Sequence, residues 1–222
     1  MSADVRSTSL ADLLANAAHG HPPAADGAVT VVDPPPGPVR GVLAFTAHHV
    51  IALGLDAAEV RARLPEGDFI APTGPAFLGW ASERLGVDPG PLDAVLVTFG
   101  GEAVPGLRLV PSEERSHPRV ARAMRYRTDV RVFEDEGHRG LLLIGRGLAG
   151  RWEVAFEVEP GARGHGLGRG LAAAARSVVP SGEPLFAQVT PGNVASLRAL
   201  LAAGYAPVGS EVLFPKPVEP GR

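Results

Sequence analysis

Cysteine is absent from all 222 residues. Its absence excludes disulfides, zinc sites built on thiolates and covalent chemistry through a protein thiol. Lysine is nearly absent: Lys216 is the only one. A P-loop, which needs Gly-Lys-Ser/Thr beside its phosphates, is excluded with it. Charge of one sign is also lacking, since 21 Lys and Arg face 24 Asp and Glu for a formal net charge of -3. Such a balance gives no general attraction to nucleic acid or anionic lipid, so neither is expected as a partner. The apolar pieces of Met1 to Gly20 are short and interrupted by Asp4 and Asp12. They suit neither a secretory signal nor a membrane span, and a cytoplasmic protein is expected.

The chain is 45% hydrophobic, enough for a proper core, and its 28 glycines and 22 prolines are scattered between periodic apolar segments. They punctuate a globular fold. The most informative punctuation is Arg163-Gly164-His165-Gly166-Leu167-Gly168, placed after the alternating run Trp152 to Val158 and before an alanine-rich helix. Alternating glycines let backbone amides approach an anion closely. A helix opening at about Leu167 adds its unpaired N–H groups and the positive end of its dipole. Arg163 and Arg169 bring full positive charge, so the segment reads as a diphosphate cradle. The alternative is a tight turn whose glycines serve backbone geometry alone.

A dinucleotide fingerprint fails at its third glycine: counted from Gly164 that place holds Arg169, and from Gly166 it holds Leu171. What remains is R-x-x-G-x-G behind a strand, which resembles motif A of the GNAT superfamily of acyl-CoA-dependent N-acyltransferases. A second stretch strengthens the resemblance. Leu185 to Val189 form a short apolar run, followed by Pro191-Gly192-Asn193 and a helical pattern from Val194 that stops at Gly204-Tyr205, with Leu197, Leu200 and Leu201 at apolar-face spacing. The pattern N-x-A-S-x-R-x-L-x-x-x-G-Y is similar to motif B of the same superfamily. The likeness covers about residues 120 to 214.

The fold class expected is α/β (α+β): a mixed, mostly antiparallel twisted sheet with helices on both faces, plus an N-terminal α/β extension. Residues 1–28 read as a flexible segment with one short helix, Leu10 to Ala18, ahead of Gly20 and Pro22-Pro23. Residues 29–110 read as an α/β subdomain: strands Val29 to Val32, Val39 to Leu53 and Ala94 to Phe99, helices Ala57 to Leu64 and Phe77 to Leu85. It is a degenerate half-domain on this reading, packed beside the sheet of residues 111–214. That second part is expected to hold helix Pro118 to Tyr126, strands Thr128 to Phe133, Leu141 to Gly145 and Trp152 to Val158, and both motifs. Residues 215–222 are a tail. Exposed strand edges at the C-terminus leave a homodimer open.

The resemblance implies direct acetyl transfer from acetyl-CoA to a primary amine in a ternary complex, with no metal. The acyl-CoA diphosphate would rest on Arg163, Gly164, His165, Gly166, Leu167, Gly168 and Arg169. Its pantetheine arm would enter a gap between the strands at Trp152 to Val158 and Leu185 to Thr190, beside Asn193. A backbone amide between Phe156 and Val158 would polarise the thioester carbonyl. Asn193 is in any case a suitable helix N-cap. Glu153 and Glu157 share one strand face and are candidate bases, although either suits a solvated or salt-bridged face. His117 and His138 are weaker ones. Ser196 lies near the expected sulfur and is the proton-donor candidate, because the superfamily's motif B tyrosine position holds Leu200. That departure supports an alternative: a non-catalytic acyl-CoA-binding or protein-interaction module.

Other features carry less. His48 and His49 are adjacent on an expected strand and face opposite ways; His19 and His21 sit in a turn, so no metal is expected. Trp80 reads as packing and Tyr205 as a core aromatic. Arg119, Arg122, Arg125 and Arg127 form either a solvated face or one that meets an acidic substrate or the adenosine 3′-phosphate.

Overall fold

The computed structural model describes residues 9–102 and 106–216. One ten-stranded sheet runs through both parts of the chain, in the order β1-β3-β2-β10-β4-β9-β8-β7-β6-β5. The strands are β1 Val29–Val31, β2 Val39–Phe45, β3 His48–Ala52, β4 Leu92–Phe99, β5 Leu109–Pro111, β6 Thr128–Asp135, β7 Gly140–Arg146, β8 Trp152–Val158, β9 Pro184–Val189 and β10 Ala206–Pro215. Only β1 with β3 and β8 with β9 pair in parallel among the described residues. The mixed, mostly antiparallel sheet with helices on both faces is the fold class read from the sequence.

Side-chain alternation assigns the helices to faces. On one face, Leu142, Ile144 and Val154 pack with α5 (Leu167–Ala174) and α6 (Val194–Ala202). Val42, Ile51 and Val212 pack with α2 (Ala57–Ala62) and α3 (Pro75–Leu85). On the opposite face α4 (Pro118–Tyr126) inserts Val120 and Ala123 against Val132, Leu141 and Leu143. There too α1 (Leu10–Ala18) covers Leu43, Val95 and Val97.

The helix at Leu10–Ala18 has the bounds expected and is docked, with Leu10, Leu14, Ala17 and Ala18 buried. Ser9 and Asp12 close its start as a reciprocal capping box. An i, i+4, i+7, i+8 apolar stripe holds this helix against the sheet. Residues 1–8, and 217–222 of the tail, lie outside the described residues.

Val39 to Leu53, expected as one strand, is a hairpin of β2 and β3. The turn falls at Thr46-Ala47, where Ala47 takes a φ of 49°; with neither glycine nor proline there, the apolar run conceals the reversal. β5 had no expectation, being three residues beside a proline. The boundary placed between 110 and 111 is not a break in the sheet: β4, from the N-terminal part, lies between β9 and β10. Leu201, expected on the apolar face of α6, is 45% exposed, whereas Leu200 is buried.

Candidate functional site

β8 and β9 are paired for only three residues: Trp152 with Leu185, Glu153 with Phe186 and Val154 with Ala187. Past Val154 they diverge, so Ala155–Val158 present a backbone edge that no neighbouring strand takes up on that side. A cleft of about 580 Å³ opens there. Alternation puts Glu153 and Glu157 on the α4 side of β8, and both reach arginines of that segment. Val154 packs on the α5–α6 side, as do Phe156 and Val158. Asn193 caps α6, its Oδ1 accepting from the Ser196 amide at 3.2 Å, and both residues line the cleft.

From β8 the chain passes through a 3-10 turn at Pro160–Ala162 and reaches α5 by way of Gly164 and Gly166, at φ values of 81° and 83°. Left-handed backbone at these two positions is what glycine permits. No side chain caps α5, whose first amides are left to an outside acceptor. Arg163 donates from Nε to the carbonyl oxygen of Val158 at 3.0 Å, holding the loop against the strand edge. His165, Gly166, Leu167 and Arg169 line a second concavity of about 840 Å³, with Arg108, Arg139 and Arg176 on its wall. Glu153, Phe156, Glu157, Asn193 and Ser196 line the first. Val158, Arg163, Gly164 and Gly168 belong to the stretch of chain that joins the two.

The two glutamates named as bases differ in surroundings. Glu153 is 1% exposed and accepts from Arg127 Nε at 2.8 Å, from Arg151 Nε at 2.9 Å and from the Leu148 amide at 3.2 Å. Arg151 also donates to Glu211 at 2.5 Å. Burial opposes ionisation of Glu153, but the charges of Arg151 and Arg127 outweigh it and hold the carboxyl below the ordinary glutamate value. With both oxygens engaged it is a poor proton acceptor, and its geometry is that of a buried ion cluster. Gly147 passes so close that a Cβ there would stand 2.1 Å from the carboxylate carbon. Glu157 is open to the cleft and accepts from Arg119 Nε at 2.7 Å. That hydrogen bond, foremost, lowers its pKa.

Sequence reading missed Asp93. It stands on β4 at the cleft wall, where Thr190 donates to it from Oγ1 at 2.7 Å. Burial pushes its carboxyl up, against the opposing effects of Thr190 and the charge of Arg122. No motif marks it, because it reaches the cleft only through the pairing of β4 with β9. Tyr126 lines the cleft as well, with Arg122 stacked 4.9 Å from its ring centroid. The spacing of Arg119, Arg122 and Tyr126 on one helical face was the available signal. The chain's other tyrosine, Tyr205, is buried and donates its hydroxyl to the Ala172 carbonyl at 3.1 Å.

The histidines go elsewhere. His117 caps α4, its Nδ1 accepting from the Arg119 amide at 3.1 Å, and His138 bonds Glu134. His48 bonds Asp26 and Thr30, while His49 points to the other side of β3. Among the described residues no group of three or more His, Asp or Glu is placed to hold a metal ion, and no helix is long and apolar enough to cross a membrane.

No protein-family pattern matches the chain, and no curated protein does. Solved structures are similar to it at low identity. One is a GCN5-related N-acetyltransferase from Kribbella flavida: 18% identity, 64% of this chain and 64% of that one covered, TM-score 0.40. A second is an acetyltransferase from the GNAT family from Colwellia psychrerythraea: 12% identity, 64% and 63% covered, TM-score 0.36. A third, from Novosphingobium aromaticivorans, is described as an acetyltransferase from the GNAT family: 15% identity, 77% and 84% covered, TM-score 0.39. All three are named as acetyltransferases. The matched part is less than two thirds of the length of the first two. Likeness at this level does not decide an activity, which rests on the chain's own residues.

Proposed function

We propose that the chain is a GNAT-type acyltransferase that moves an acetyl group from acetyl-CoA directly to a primary amine. The observation that carries the reading is the coincidence, on one strand, of an open edge past Val154 and an uncapped glycine-rich helix start. An extended chain with amide groups can add to such an edge as a further strand would. A diphosphate suits the amides of the α5 N-terminus, with Arg163 and Arg169 beside it. These features fit acetyl-CoA, which supplies the activated thioester; no metal is needed.

Each group on the protein then has a task. A backbone amide of Phe156–Val158 donates to the carbonyl oxygen, where negative charge develops as the C–N bond forms and from which it passes to sulfur as the C–S bond breaks. An ammonium acceptor sheds two protons in becoming an amide: one leaves towards solvent and one goes to the departing sulfur. Asp93 and Glu157 face the acceptor side and take the first directly or through water. Asp93 is the better base of the two, since burial has raised its pKa. Ser196, in the first turn of α6, is placed to relay the second by way of water; the Tyr126 hydroxyl is a second donor. Glu153 keeps the cleft wall rigid through Arg127 and Arg151.

Calorimetric titration with acetyl-CoA, CoA, NADH and ATP tests the reading, followed by turnover on a panel of amines. Selective binding of the CoA species is expected. Arg163→Glu should weaken it several-fold and lower the melting temperature little, because the one hydrogen bond this side chain makes is exposed. Binding of none of the four ligands would overturn the reading. A second reading, an acyl-CoA-binding module without catalysis, is favoured by buried Leu200 at the motif B tyrosine position. It predicts CoA binding with no acetylated product from any amine.

A further inference from the structure

The charged groups lining the cleft balance, with Asp93, Glu153 and Glu157 against Arg119, Arg122 and Arg127. Two pairs neutralise each other: Arg119 with Glu157 at 2.7 Å and Arg127 with Glu153 at 2.8 Å. Asp93 and Arg122 remain. No ion pair joins them, although Asp93 feels the charge of Arg122; its hydrogen-bond partner is Thr190. The Arg122 guanidinium lies against the Tyr126 ring, its carbon 4.9 Å from the centroid. The Arg125 carbon stands farther from the same ring, at 5.9 Å, and a guanidinium held over an aromatic face keeps N–H donors for a planar, bidentate anion such as a carboxylate.

A cleft built for a simple alkylamine or polyamine would carry surplus negative charge. This one holds one acidic and one basic group apart, in a space of about 580 Å³ that the pantetheine end must share. We infer that the acceptor is a small amine that also bears a carboxylate, its ammonium facing Asp93 and its carboxylate facing Arg122. The inference rests on the acyltransferase reading and names the substrate class of that same cleft. It also gives Arg122 a task distinct from that of Arg125, which lies on the same helix but is not among the residues lining the cleft.

Matched amines decide it. Phenylalanine, phenylalaninamide and phenethylamine form one set, γ-aminobutyrate and butylamine another. Acetylation rates are measured with the full chain, and binding of the same compounds by calorimetry with CoA present. The carboxylate-bearing member of at least one set should have the higher kcat/KM by about tenfold or more, the size of one charge-assisted interaction. Arg122→Gln should shrink that preference by a similar factor, chiefly through KM, and weaken calorimetric binding of the amino acid. Arg125→Gln should leave the preference in place. Equal or better use of the carboxylate-free amines, or a preference untouched by Arg122→Gln, would overturn the inference while the acyltransferase reading stood. Loop-dependent binding of acetyl-CoA with no amine acetylated would overturn both the inference and catalysis. Absence of acetyl-CoA binding would remove the reading beneath them.

Discussion

Thr190 donates a hydrogen bond from Oγ1 to Asp93 Oδ1 at 2.7 Å, joining residues 97 positions apart at the wall of the cleft. Thr190 follows β9, next to the glycine-loop strand, whereas Asp93 lies on β4 from the N-terminal part of the chain. The bond stands where the register of β4 with β9 runs out, at Ala94 opposite Val189. The N-terminal part thereby supplies a carboxylate, beside Gly90 and Pro91, to a cleft whose remaining lining comes from the C-terminal part.

Asp93 should set the acid limb of the pH–rate profile. A base works in its deprotonated form, so activity is present above the Asp93 pKa and lost as pH falls through it. Because burial raises that pKa, the loss should begin above the ordinary aspartate value. Thr190→Val removes a bond that stabilises the ionised form and should move the limb to higher pH. Asp93→Asn should abolish it and slow acetylation about 10²–10⁴-fold, the usual range for a general base. A limb unmoved in either variant would exclude Asp93 from the proton path.

The buried cluster of Arg127, Glu153, Arg151 and Glu211 is neutral as a whole, and each member depends on the others. Glu153→Gln leaves two guanidinium groups short of a counter-charge in a site where Glu153 is 1% exposed. A loss of about 3–5 kcal/mol is expected on chemical denaturation. The sign with pH follows from the lowered pKa of Glu153. Its contribution is complete above the unfolded-state glutamate value and disappears as pH falls through the folded one. Wild type should therefore lose stability more steeply than Glu153→Gln in acid, as measured by melting temperature against pH.

Helix α1 should contribute to global stability. Leu14 is 3% exposed in the cluster with Leu43 and Val97, whereas its neighbour Leu13 is only partly buried. Leu14→Ala should cost about 2–5 kcal/mol and Leu13→Ala distinctly less. Equal, small effects in denaturant titrations would mean that α1 is not part of the cooperative fold.

Motifs held within a short stretch of chain were legible. The bounds of Leu10–Ala18, Pro118–Tyr126 and Trp152–Val158 follow from caps, prolines and alternation, which act over a few residues. The shared face of Glu153 and Glu157 on β8 followed from the same alternation. What alternation could not tell was how its two glutamates differ. Glu153 became part of an ion cluster because Arg127 reaches it from the end of α4 and Arg151, two residues before it, bridges it to Glu211 on β10, and Glu157 kept one partner and an open face. The turn at Thr46-Ala47 was hidden for a local reason: an alanine at positive φ carries no turn signature.

The glycine loop, the α5 start behind it, the Asn193 cap and the alternation along β8 were settled by residues adjacent in the chain, because these depend on backbone freedom and local hydrogen bonding. Only the folded sheet set the end of the β8–β9 pairing at Val154, brought Asp93 and Tyr126 into the same cleft and gave the Tyr205 hydroxyl the Ala172 carbonyl as its partner. Those outcomes depend on sheet register and on the burial of groups far apart in the chain. No local pattern of residue types encodes which distant partner a charge will meet.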